Sequence, residues 1–259
     1  AELEFANGVA AMAASGLFAE RRVCAGIVGG VDLTLGDAVE EILSAHLKAG
    51  GGRDTGGRSR TVCDTDQTIL GPGVGRLHVL LDNRFRAGCR RLANFGLSLD
   101  VFIFEPQLPE LIDLAQALPN VQIILNHVGS PIGVGQYAGK RAQRFTLWRD
   151  NIRTLSGCEN VAVKLGGVGI PFGGFESHLA MPSATSAQLA QEWRPYIHTC
   201  IEAFGAQRCM FESNFPVDAA VGEYAIVWNA FKRLAASASQ DEKTALFSGT
   251  AARIYRLQV

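Results

Sequence analysis

The chain of 259 residues is long enough for one large domain with a substantial core. Apolar residues make up 47% and charged residues 19%, and the formal net charge is -1 with both signs interspersed, so no basic stripe marks a nucleic-acid or anionic-membrane surface. Glycine, asparagine or a charge breaks every apolar run before it could span a bilayer.

The start, Ala-Glu-Leu-Glu-Phe, lacks the basic region and apolar core of a signal peptide. Six scattered cysteines, none in a CxxC pair, read as free buried thiols, and a cytoplasmic protein is the simple expectation.

Taken in chain order, residues 5–15 are Ala-rich with a helical period that stops at Gly16. Residues 23–28 read as a buried strand, followed by a helix over 35–49 that ends in three glycines. Residues 53–76 are rich in Gly, Arg, Thr and Asp and predict no regular element. A helix over 84–94 follows.

From residue 97 the alternation is regular. Strands are expected over 97–104, 121–125, 160–165 and 208–211. Helices are expected over 109–117, 140–155, 186–204, 224–236 and 241–255. Fully apolar strands separated by helices predict a parallel sheet covered on both faces, in one domain spanning 1–259.

In such folds ligands bind at the carboxyl ends of the strands. The strand at 97 delivers Glu105 and Gln107, and the strand at 121 delivers Asn126 and His127. The strand at 160 delivers Lys164 before Gly166 and Gly167, and the strand at 208 delivers Glu212 and Asn214. His127 can polarise a carbonyl or move a proton near neutral pH; its plainer role is a bond to neighbouring backbone. Lys164 inside an apolar strand needs a partner, and Glu212 is the expected one, in a structural ion pair or a catalytic one. Two-residue alternation puts Glu212 and Asn214 on one face.

The glycines at 71–75 and 133–135 match no nucleotide-binding pattern. The five histidines form neither HxH nor HExxH, and three converging ligands cannot be assembled. No cofactor is therefore expected, with zinc admissible only if ligands come from outside this chain segment.

Three motifs in order, Leu125-Asn-His-Val-Gly-Ser-Pro131, Asn160-Val-Ala-Val-Lys-Leu-Gly-Gly167 and Arg208-Cys-Met-Phe-Glu-Ser-Asn-Phe-Pro-Val-Asp218, resemble the amidohydrolase-2 family. The similarity is greatest to its lactonase-like branch, with dicarboxylate-pyrone lactonases and fuconolactonases. The closing Leu-Phe-Ser-Gly-Thr-Ala-Ala-Arg-Ile-Tyr also matches, and the resemblance covers nearly the whole chain.

It implies an α/β TIM-barrel, (β/α)8-type metal-dependent-hydrolase fold with its site at the carboxyl rim. The histidine that contacts substrate or a metal in that family corresponds to His127. Many members carry Ser-Asp-x-Pro on the last strand, the Asp activating water. Here that position is Asn214, which cannot act as a base, so Glu212 or Asp218 becomes the substitute to consider. The HxH-type first strand of the family has no counterpart, and the first two strands are expected to be missing. The two edges this leaves are compatible with a longer product, a partner's cover or a rearranged fold.

The resulting expectation is a hydrolase that adds water to a lactone, or a related cyclic ester or amide, of a small carboxylated or sugar-derived compound. His127, Asn214 and Glu212 would be catalytic, and Asn126, Lys164, Glu105 and Gln107 would bind substrate. The alternative is a catalytically disabled relative that binds a small acid or a partner subunit. The expected partner is a small molecule, with no nucleic acid or membrane, and a homo-oligomer is compatible with the sequence.

Overall fold

The computed structural model describes residues 1–16, 22–66, 68–69, 75–181 and 183–257. Six parallel strands lie side by side in chain order: β1 (Ile27–Gly30), β2 (Asp54–Arg58), β3 (Ser98–Val101), β4 (Ile123–Leu125), β5 (Val161–Leu165) and β6 (Cys209–Phe211). Helices α1 (Glu2–Ala14), α2 (Val39–Gly50), α3 (Asn83–Asn94), α4 (Leu108–Ala117), α5 (Arg141–Ser156), α6 (Ser186–Phe204) and α7 (Tyr224–Leu234) alternate with them. The chain closes in a short helix α8 (Gln240–Thr244), a π turn (Ala245–Gly249) and α9 (Thr250–Ile254).

The helices start and stop where side chains satisfy their free backbone groups. Asp82 accepts from the Arg84 and Phe85 amides at the head of α3, and Thr185 and Gln188 form a reciprocal box at the head of α6. Gly51, left-handed at φ 57, ends α2.

Residues 53–60, expected to form no regular element, contain β2. The reason lies in its neighbours. A Cβ on Gly56 would come within 2.4 Å of Ser98 Oγ, and one on Gly57 within 2.9 Å of Leu92. The glycines lower strand propensity but are what lets β2 fit between β1 and β3, with Gly56 in register with Val28 and Ser98. The glycine stretch at 71–75 lies, apart from Gly75, outside the described residues.

Alternation sorts the strands into two faces. Leu99, Val101, Ile123, Leu125, Val163 and Leu165 are fully buried on the outer face, with Trp148 and Trp193 in the same core. Each such side chain contributes about 1.5–3 kcal/mol of burial. On the inner face Ile124, Ala162 and Met210 pack against Ile254 and Tyr255 from the closing helix. All six cysteines are free thiols, five of them buried. No described helix is long and apolar enough to cross a membrane.

Candidate active site

The stretch after β4 turns sharply. His127, Val128, Gly129 and Ser130 all have positive φ, at 55, 49, 75 and 44°. This is unfavourable for any residue but glycine, and most of all for the β-branched Val128. The surroundings hold it in place. The fully buried Trp148 donates its indole N–H to the Val128 carbonyl at 2.8 Å, and the Ser130 amide donates to the His127 carbonyl at 2.7 Å. Strain of this kind persists only where the surroundings over-determine it, and it aims His127 at the rim.

Glu212, just past β6, meets His127 twice. Its Oε1 accepts the His127 amide at 3.2 Å and lies 2.6 Å from the ring Nδ1. The side chains of His127 and Glu212 are only 13% and 16% exposed. Gly166 and Gly167 make room for this pair. A Cβ on Gly167 would lie 2.2 Å from Nδ1, and one on Gly166 would lie 2.1 Å from the Glu212 carbonyl. Phe102 sits edge-on to the imidazole, with centroids 5.3 Å apart, and stacks on Phe172.

Lys164 reaches Glu212 Oε2 at 4.0 Å, so the expected pair exists, but its nearer partner is Asp100 Oδ2 at 2.6 Å. Burial pushes the Glu212 carboxyl up, yet His127 and then Lys164 together outweigh it and hold Glu212 below the usual range. Burial likewise lowers the Lys164 ammonium, and Asp100 followed by Glu212 reverses that, leaving it raised. Glu212 therefore faces the histidine as a carboxylate.

Asn214 follows on the same carboxyl rim as His127. β6 ends at Phe211 and Asn214 is left-handed at φ 51, so the two-residue alternation expected to group it with Glu212 no longer applies. Its Nδ2 donates to Asp218 Oδ1 at 2.8 Å. Asp218 is fully buried, and burial pushes its carboxyl up to about 6 against the lowering effects of Asn214 and His127.

A cleft of about 810 Å³ opens over β1 to β4, lined by His127, Asn126, Asp100, Phe102 and the arginines Arg58, Arg60 and Arg76. Asn126 Oδ1 is buried there with no protein partner. Arg58 and Arg76 pair with Glu2 and Asp82. The structure does not bring Glu105 and Gln107 to this cleft. Glu105 is buried against Arg144, and Gln107 ties the Cys63 amide and the Thr61 carbonyl. Gln107 thereby braces the loop that forms the cleft wall.

Asp100, Phe102, Tyr255 and the arginines were not foreseen. The signal available for Asp100 was a carboxylate in the otherwise apolar run Leu97 to Phe104, which burial makes costly unless it is paired.

The chain matches the amidohydrolase family over residues 9–257. It belongs to that family. Among relatives of this amidohydrolase, an uncharacterized protein y4mH of Sinorhizobium fredii is 35% identical over 90% of the chain and 70% of the relative's length. An L-fucono-1,5-lactonase of Burkholderia multivorans is 29% identical over 68% of the chain, which spans 57% of that relative.

A crystal structure of an amidohydrolase from B. multivorans with bound zinc superposes with TM-score 0.73 at 25% identity, covering 96% of this chain and 78% of that one. A putative 2-pyrone-4,6-dicarboxylic acid hydrolase from Pseudomonas putida shares the fold, with TM-score 0.53 at 19% identity over 91% and 83% of the two chains. The six-stranded parallel sheet is thus that of a TIM-barrel-type amidohydrolase.

The zinc in the B. multivorans neighbour overturns the expectation that no cofactor belongs to this fold. That expectation rested on the histidine spacing and on the failure to assemble three converging ligands from the sequence. Tested on this chain, the donor set does not fit a full zinc site. No three His, Cys, Asp or Glu side chains converge among the described residues, and Nδ1 of His127 is engaged by Glu212.

Proposed function

We propose that this amidohydrolase hydrolyses a lactone or related cyclic ester of a small carboxylated or sugar-derived compound. His127 in the wall of the arginine-lined cleft, with Glu212 against its ring, is the observation that supports this reading most. A carboxylate against Nδ1 fixes the N–H on that nitrogen and leaves Nε2 as the acceptor. Water placed by Asn126 Oδ1 gives its proton to Nε2 as its oxygen attacks the carbonyl carbon. The tetrahedral oxyanion then collapses, the ring C–O bond breaks, and the leaving oxygen takes the proton back from Nε2. The product is the open hydroxy acid.

Arg58, Arg60 and Arg76 supply the cationic side of the cleft that a substrate carboxylate or the developing oxyanion needs. The buried Glu212 carboxylate stabilises the imidazolium formed midway. Asn214 holds Asp218 and takes no proton itself.

The test is proton release by the purified chain on carboxylated and sugar lactones, with and without chelator and added zinc. His127→Asn should lower kcat per folded molecule by about a hundred-fold or more, the usual worth of a positioned acid–base group. Lactone binding without turnover in every arm would favour the alternative, a relative that binds small acids, for which Asn214 in place of a basic carboxylate is the supporting observation.

A further inference from the structure

The inner face of the sheet carries a chain of polar groups that begins at a residue outside the cleft lining. Tyr255, at the end of α9 and 8% exposed, donates its hydroxyl to Asp100 Oδ2 at 2.8 Å. The same oxygen accepts from Lys164 Nζ at 2.6 Å, and that nitrogen also lies 5.5 Å from the centre of the Tyr255 ring. Lys164 stands 4.0 Å from Glu212 Oε2, whose other oxygen holds His127. Five side chains from β3, β5, the turns after β4 and β6, and the end of the closing helix thus share two carboxylates and one ammonium.

We propose that Tyr255 is a positioning residue of the site, its hydroxyl sharing Asp100 Oδ2 with the Lys164 ammonium and its ring facing that ammonium, and so setting the share of the charge which reaches Glu212. This rests on the hydrolase reading, because it is the His127–Glu212 pair that the network serves. Tyr255 does not line the cleft and packs instead among Ile124, Ala162, Met210 and Ile254, so it acts on the reaction through Asp100 and Lys164.

Two donors on one oxygen divide its charge. With the phenol present, Asp100 is satisfied from two sides and Lys164 keeps a position from which it also attracts Glu212. Without the phenol, Lys164 is the principal donor left to Oδ2 and is drawn fully to it, away from Glu212. Burial, and next Asp100 itself, push the Tyr255 hydroxyl well above the usual phenol range, so it keeps its proton and remains a donor. The ring contributes a second hold on the ammonium through its face.

The experiment compares wild type, Tyr255→Phe and Tyr255→Leu in kcat, KM, melting temperature and the NMR signal of the Lys164 side-chain ammonium. That signal is identified by its disappearance in Lys164→Met. Tyr255→Phe keeps the ring and its packing. It should lower kcat about ten-fold with KM within about two-fold, because a misplaced charge acts on the transition state more than on binding. It should also shift the ammonium signal, and Tyr255→Leu should enlarge the shift.

An unmoved ammonium signal in Tyr255→Phe overturns the proposal, whether kcat is unchanged or falls only in step with the melting temperature. Wild-type protein that opens no lactone sinks the hydrolase reading instead. The ammonium signal then still decides whether Tyr255 holds Lys164.

Discussion

The two faces of the same three strands obey different rules. On the outer face of β3 to β5, Leu99, Ile123 and Val163 meet a continuous apolar core to which each side chain contributes by the area it removes from water. On the inner face, Asp100 and Lys164 sit one pleat away and contribute only together, since either alone would be a buried charge without its counterpart. An outer substitution is felt as lost burial, whereas an inner one is felt as broken pairing that extends to His127.

This difference can be tested by trying to erase it. Lys164→Met leaves Asp100 facing Tyr255 alone and should cost about 3–5 kcal/mol, the range for breaking a buried pair. Adding Asp100→Leu should restore most of that loss in urea denaturation, whereas catalysis should stay impaired in both proteins. Additive losses in the double mutant would mean the inner face behaves like the outer one.

Leu99→Ala on the outer face should cost about 2–5 kcal/mol. Its kcat per folded molecule should match wild type; a lower value would show that the faces are not independent.

The smallest effect sharpens the comparison at Asp218. Its folded carboxyl titrates near 6, above its ordinary value of 3.8, because burial opposes its charge. A raised carboxyl binds its proton more tightly when folded, so its contribution to stability is present below about pH 4. That contribution is lost as pH rises through 6, to a limit of about 3 kcal/mol for a shift of about two units. Asp218→Asn should therefore raise the melting temperature at pH 7.5 more than at pH 4.5. An equal or opposite difference would assign the group another environment.

The helices and strands from Leu97 onward were legible because their apolar residues recur at the periods that helices and buried strands require. Asp54–Arg58 was not, because its glycines answer to Ser98 on the neighbouring strand and Leu92 on α3, and no local pattern reports such neighbours. His127, Glu212 and Lys164 could be read from strand ends, and the structure joins all three. Glu105 and Gln107 stand at a strand end by the same logic but turn away into the loop. Strand-end position alone does not say which way a side chain points once the pleat has ended. Asp100 and Tyr255 were missed because their meaning comes from one contact spanning most of the chain.

That contact also has a consequence for the order in which the protein is made. Asp100 and Tyr255 are separated by 155 positions. A nascent chain can present β3, β4 and β5 to one another, and even seat Lys164 on Asp100, well before its phenol partner leaves the ribosome. Strands β3 to β5 are available before the residue that completes their charged interior. Assembly of the fold and completion of the site are therefore separate events in time.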